Sequence, residues 1–334
     1  RKEGWTQSGW RVLTDRTVAA SNKGIAEGGD FGPTGAAVEG DVPDIVEVSA
    51  TMKEIVSPYT VSTRAALLSE ADDGVKGLAT FLRQQAAEAH SFYIDQMLCT
   101  DPATPAVNNM ESLLRVAMDD TVTTALTATD ADMYGGTIID RSTASAWHHG
   151  YVDHGTIGGG NETERPLTLS MLDQIIQNAI EAGAQYSDLI FLTGYQQLTE
   201  IKQLITSNAG SGATWRMALE SQAPKGTNGV ASEPGMNLDG RVGYYDSIPI
   251  YATQHLKDPM ANATGGSTAG MGPVLLLDMS SLYVKIAAPT TFLAQEDLAN
   301  VAALKRNYAF LTAGELICTK FKTQGQIRGL EVSA

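Results

Sequence analysis

The stretch Trp147-His148-His149-Gly150-Tyr151-Val152-Asp153-His154 places four metal-ligand side chains, His148, His149, Asp153 and His154, within seven residues. Three imidazoles and a carboxylate form a donor set that can hold zinc and turn a bound water into a nucleophile for hydrolysis. The spacing argues against that use. Adjacent histidines on an extended chain point to opposite sides. The surrounding segment is rich in glycine, and no His-x-x-x-His pair on a helix supplies further ligands. A solvated loop or a subunit contact is the expected role of this cluster, with a metal-dependent hydrolase as a remote alternative.

Other chemical motifs are incomplete. Gly265-Gly266-Ser267-Thr268-Ala269 departs from the hydrolase pattern Gly-x-Ser-x-Gly at its last position. No glycine run ends in Gly-Lys-Ser/Thr, and the Gly-Gly-x-x-Gly order around Gly28 leads towards an extended segment, not a helix. Cys99 and Cys318 are too few for a disulfide framework or a zinc site and are expected to be buried thiols. Two glycosylation sequons, at Asn161 and Asn262, occur at near-chance frequency for an Asn- and Thr-rich chain. No catalytic residue, cofactor site or metal-ligand set is expected.

Charge narrows the remaining classes. With 38 acidic and 23 basic side chains the net charge is −15, opposite to the clustered Lys/Arg that a general nucleic-acid binder needs. No apolar run approaches the length needed to span a bilayer.

The elements that would position any site are easier to read. Trp10, Val12, Thr14 and Val18 alternate in an extended segment over 10–22, and Val46, Val48, Ala50 and Met52 alternate with polar residues. Between these runs, residues 24–43 hold six glycines and two prolines. Two strands joined by such a tip make a projecting β-ribbon, which is too small to be stable alone and needs another surface to lie on. A long helix is predicted over 73–98, with Val75, Leu78, Leu82, Ala86, Ala89, Tyr93 and Met97 as its apolar face. Residues 103–165 read as irregular. A second helix starts at Ser170, whose spacing to Asp173 fits a capping box, and stops at Gly183. Asp188–Thr193 reads as a buried strand and Gln196–Ile205 as a helix, and 207–240 as a polar loop region. Strand-like runs follow at 248–252, 274–277, 282–287 and 315–321. The fold class is α+β.

In this order the elements resemble the major capsid proteins of tailed double-stranded DNA viruses, which share the Hong Kong 97 fold. "IAEGGDFG" (Ile25–Gly32) is similar to the Ala-Glu-Gly segment of that family's extended E-loop. "VEVSATMKEIVSPYTVSTRAALLSEADD" resembles the returning strand and the run into the spine helix, with Ser62, Leu67 and Leu68 matching. "GGTIIDRSTASAWHH", "LTLSMLDQIIQNAIEAGAQYSDLIFLT", "SIPIY" and "RNYAFLTAGELICTKFKTQGQIRGL" are similar to later segments of the axial and peripheral domains.

The resemblance implies an N-terminal arm remnant at 1–9, an E-loop β-ribbon at 10–60, and a peripheral domain with spine helix at 61–105. An axial domain at 106–287 and a returning peripheral β segment at 288–334 complete it. It implies self-assembly into hexamers and pentamers of an icosahedral shell around double-stranded DNA, in a virion assembled in the host cytoplasm. Portal, scaffold or protease, and decoration proteins are implied partners, and a membrane is not. Inter-subunit contacts would fall on the E-loop residues Lys23, Glu27, Gly28, Gly29, Asp30 and Phe31. Lys23 is the one lysine there that could serve a crosslink, and no motif for its partner is seen. The chain opens at Arg1 without methionine, as expected of relatives that lose an N-terminal segment in maturation. An encapsulin-type nanocompartment shell, built on the same fold, is the alternative.

Overall fold

Short apolar runs bounded by glycine, aspartate or serine become the central strands, because they bury both faces at a length too short for a helix. The computed structural model describes residues 7–15, 44–62, 78–99, 109–122, 134, 147–158, 161–162, 164–207, 217–219, 241–256, 272–293 and 305–331.

Seven strands form a mixed sheet: β4 (Tyr151–Asp153), β7 (Leu189–Gly194), β8 (Met217–Leu219), β9 (Arg241–Tyr245), β10 (Ile248–Thr253), β11 (Val274–Asp278) and β14 (Gly325–Ile327). Their spatial order is β4-β14-β11-β7-β10-β9-β8. The pairs β10–β7 and β14–β4 are parallel and the other pairings are antiparallel. β9 and β10 form a hairpin whose turn residues, Asp246 and Ser247, both have positive φ (47° and 68°). Such a two-residue turn matches the right-handed twist of its strands.

One face of this sheet is covered by α3 (Leu169–Glu181) and α4 (Tyr195–Ser207). Leu172, Ile175, Ile176 and Ala179 of α3 and Leu198 and Ile201 of α4 pack with Phe191, Ile248, Ile250, Leu276 and Ile327 in a first core. The cap of α3 is Thr168, whose hydroxyl accepts the Met171 N–H, so the helix begins one residue before Ser170 and the expected capping box is not used. Its end follows expectation. Gly183 has φ +93°, and Gly183 N–H and Ala184 N–H donate to Ile180 and Ala179 carbonyls at 2.8 and 3.0 Å, a Schellman closure.

A second, three-stranded sheet has the order β12-β13-β3, from β3 (Lys53–Ser62), β12 (Leu282–Leu293) and β13 (Lys305–Cys318). β12 runs through residue 287, at which the division between axial and peripheral domains is expected. Helix α1 (Leu78–Leu98) lies on β3 and β13. Its 21 residues span roughly 32 Å at about 1.5 Å per residue. Its buried face differs from expectation: Met97 is buried, but Ala89 and Tyr93 are exposed, and the side chain buried beside the sheet is His90.

Strands β1 (Gln7–Asp15) and β2 (Asp44–Thr51) pair antiparallel from Gln7↔Thr51 to Leu13↔Ile45. Val12, Val48 and Ala50 are buried while Arg11, Glu47 and Ser49 face outward, the alternation read from sequence. Val12 and Val48 join a second core with Leu114, Val116, Leu275, Leu277, Leu282, Leu316 and Phe321. Trp10 ties the ribbon to β13 by donating its indole N–H to the Cys318 carbonyl at 3.1 Å. Residues 109–122, within the stretch expected to be irregular, carry the short helix α2 (Leu113–Val116), capped by Ser112. A small hairpin pairs β5 (Ile157–Gly158) with β6 (Asn161–Glu162). Among the described residues no helix is long and apolar enough to cross a membrane.

Thr168→Ala is expected to lower stability by about 1 kcal/mol, the usual cost of a lost N-cap, whereas Ser170→Ala stays within about 0.5 kcal/mol of wild type. Paired urea denaturation curves of the two variants check this.

Candidate functional site

The histidine cluster is built into a backbone join. Gly150 N–H donates to the Met118 carbonyl at 2.9 Å, and a Cβ at Gly150 would lie 2.8 Å from the Ala117 carbonyl group. Glycine is therefore required for segment 147–154 to approach segment 117–122 this closely. His148 is buried with its ring edge-on to both Trp147 and His149. His149 Nδ1 is 4.0 Å from Asp120 Oδ1. Asp153 is engaged by Arg165, Nη2 to Oδ1 at 2.5 Å. His154 Nδ1 lies 2.6 Å from the Gly155 carbonyl oxygen. Asp119 accepts the Val122 N–H at 2.8 Å, and burial raises its pKa while His154 and His149 oppose the rise. Among the described residues no group of three or more His, Cys, Asp or Glu is placed to hold a metal. With Asp153 paired to Arg165 and His149 facing Asp120, the geometry does not favour a hydrolase.

Cys99 and Cys318 are buried free thiols, as expected. Burial, with Asp95 adding to it, pushes the Cys99 thiol up to about 12, which removes its nucleophilicity at neutral pH. Ser267 lies outside the described residues, as do Lys23, Glu27, Gly28, Gly29, Asp30 and Phe31. The ribbon β1–β2 that leads to the latter six is described, and its base is anchored in the second core.

A polar chain not legible in the sequence, centred on the buried His90 and Thr312, joins α1 to the three-stranded sheet. His90 Nδ1 is 2.7 Å from Ser57 Oγ on β3, and its Nε2 is 2.8 Å from Thr312 Oγ1 on β13. Thr312 continues to Thr290 on β12 at 2.9 Å. One imidazole thereby connects the helix to all three strands. Its partners are 33 and 222 residues away in sequence, so no local pattern announces them. A serine beside a histidine can be a nucleophile and its base. Here the ring's other nitrogen meets a threonine hydroxyl and not a carboxylate.

Two surfaces carry exposed apolar side chains. Phe81, Phe92 and Tyr93 lie on the outer side of α1, and Tyr283, Val284 and Ile286 on β12. β12 and β3 are the outer strands of their sheet, and an edge strand offers unpaired backbone groups to another chain.

No protein-family profile and no curated protein sequence matches the chain. Solved structures do. The capsid asymmetric unit of cyanophage A-1(L) matches with a TM-score of 0.61 at 14% identity, over 98% of this chain and 89% of that one. The chain has the fold of phage capsid proteins. The capsid of a native GTA particle matches with a TM-score of 0.52 at 13% identity, and the capsid asymmetric unit of cyanophage Pam1 with 0.51 at 12%. Each covers 98% of this chain, which itself spans 86% of each of those chains. At such low identity the likeness is one of backbone arrangement.

His90→Ala is expected to cost roughly 2 kcal/mol, because it removes two hydrogen bonds and leaves the buried Thr312 hydroxyl with Thr290 as its partner. Burial lowers the His90 pKa below its ordinary 6.5. Its folded form is therefore neutral, so its stabilising contribution is complete above pH 6.5 and is lost as pH falls through the lowered value. His90→Gln should lack this component, so the melting-temperature difference between wild type and His90→Gln should shrink as pH falls through that range. Thermal scans between pH 4.5 and 7.5 measure both.

Proposed function

We propose that this chain is the major capsid protein of a tailed double-stranded DNA virus, with the Hong Kong 97 architecture. The observation that carries the proposal is the match to capsid subunits over 98% of this chain. In this assignment β1 and β2 are the base of the E-loop, and residues 16–43 are its arm, lying on a neighbouring subunit. Lys23, Glu27, Gly28, Gly29, Asp30 and Phe31 make contacts there. α1 is the spine helix, the three-stranded sheet belongs to the peripheral domain, and the seven-stranded sheet with α3 and α4 forms the axial domain. The axial domain covers 106–287 and the returning peripheral β segment 288–334 in this assignment.

Physical chemistry supports each assignment. Glycine in the arm tolerates the different bends that five- and six-subunit rings impose. The exposed apolar side chains of α1 and β12 supply surface for neighbours. A net charge of −15 keeps a shell wall from trapping the DNA it encloses. Portal, scaffold or protease, and decoration proteins are the partners such a shell recruits, and assembly takes place in the host cytoplasm. The capsid matches favour this assignment over a nanocompartment shell.

The test is assembly and its dependence on the arm. Sedimentation velocity of the purified full chain should show rings of five and six subunits or closed shells, with nuclease-protected DNA in shells taken from infected cells. Replacing residues 24–43 by Gly-Gly should abolish these species and leave the melting temperature within about 2 °C. A wild-type chain that stays monomeric or dimeric at all concentrations contradicts the proposal.

A further inference from the structure

The sheet β12-β13-β3 has two outer edges, and they are guarded unequally. β3 alternates buried Ile55 and Val61 with exposed residues, opens on the charged pair Lys53-Glu54 and carries Pro58 near its middle. Charges and proline are devices that keep an edge from pairing with another chain. On β12 the pairing with β13 shifts between Ile286 and Ala288 and again between Ala288 and Thr291, and Pro289 lies in this stretch. Leu282–Ile286 has neither bulge nor proline. It pairs in unbroken register with Cys318–Gly314 on one side, and among the described residues no strand lies on its other side. Tyr283 and Val284 point to opposite faces, yet they are 45% and 40% exposed, and Ile286 is 56% exposed. The segment is thus bare along its edge and on both faces. Its one charge, Lys285, stands directly opposite Glu315, a buried carboxylate whose Oε1 accepts the Glu111 N–H at 2.8 Å.

Two observations say what covers this edge. The first is charge. The three strands of the sheet carry four basic and two acidic residues in a chain of net charge −15, whereas residues 16–43 carry four acidic and two basic. The second is where the described ribbon ends, at Asp15 and Asp44, with 28 residues between them. Folded as two limbs at about 3.3 Å per residue, these reach roughly 46 Å, farther than the length of α1. β2 runs on into β3 with only Met52 between, so the arm leaves from the end of β2 farthest from its own sheet. We propose that Leu282–Ile286 of β12 takes one limb of the 16–43 arm of an adjacent copy as a fourth strand of the sheet. Backbone hydrogen bonds along the free edge make the attachment, and apolar arm residues such as Ile25 and Phe31 cover Tyr283, Val284 and Ile286. The inference rests on the shell reading above and names the surface on which the arm lies.

Photo-crosslinking of the full-length chain tests it. Isotope-labelled wild type in excess is co-assembled with an unlabelled variant carrying p-benzoylphenylalanine in place of Tyr283, then irradiated and digested. Adducts should join the unlabelled peptide holding position 283 to labelled peptides from 16–43. Ile286→Lys should keep the melting temperature within about 2 °C of wild type but raise the concentration needed for assembly at least roughly tenfold, because docking would bury an unpaired charge. Adducts to other peptides alone, or to unlabelled 16–43 peptides alone, overturn the inference and leave the shell reading standing, as does unchanged assembly of Ile286→Lys. A wild-type chain that does not assemble overturns both. If Ile286→Lys does not fold, the adducts decide the matter alone.

Discussion

The strand Val274–Asp278 is buried on both faces, and the rest of the structure is arranged to keep it so. Val274 and Leu276 point into the core under α3 and α4, while Leu275 and Leu277 point into the core shared with the ribbon, α2 and β13. All four are at most 2% exposed. At about 2 kcal/mol for each such side chain, exposing either face would cost a large share of the net stability of an ordinary domain. The two sheets, the ribbon base and segment 109–122 must therefore close around this strand together. Asp278 ends it with a polar lock: its carboxylate accepts from Ser280 and Ser281, and its N–H donates to Gln324 Oε1 at 3.0 Å. Gln324 Nε2 in turn donates to Ser281 Oγ at 2.8 Å, fixing the turn after β11 to the turn before β14.

Three buried polar centres thus sit at the joins between elements: Asp278 between two turns, His90 between α1 and its sheet, and Glu315 between β13 and segment 109–117. Buried polar groups cost free energy unless their partners are in place, so each centre penalises a slipped register more than it adds to stability. His90 and Glu315 respond to pH with opposite sign, because burial favours the neutral form of both and neutrality means loss of a proton for one and retention for the other.

Much of this was legible in the sequence wherever a single local rule decides the outcome. The apolar run at 189–194 and the leucines of β11 announce buried strands, Gly183 announces a left-handed helix stop, and alternation around Val12 and Val48 announces the ribbon. Rules that depend on distant partners were not legible. The face of α1 was misjudged because His90 is buried by hydroxyls on strands far away in sequence, and Tyr93 is left exposed. Thr168 outcompetes Ser170 as a cap because the helix starts where Leu169 first reaches the core, which spacing alone does not reveal. The histidine cluster reads as possible metal chemistry, yet Gly150 at its centre is there to let two backbones touch. The glycine-rich arm, the clearest functional signal in the sequence, lies outside the described residues.

Assembly through that arm is the central claim, and electron cryomicroscopy of particles purified from infected cells tests it most directly. The account predicts an icosahedral shell of five- and six-subunit rings in which density for residues 16–43 crosses from the β1–β2 ribbon onto an adjacent subunit. Particles lacking such symmetry, or a ribbon folded back on its own subunit, would contradict it.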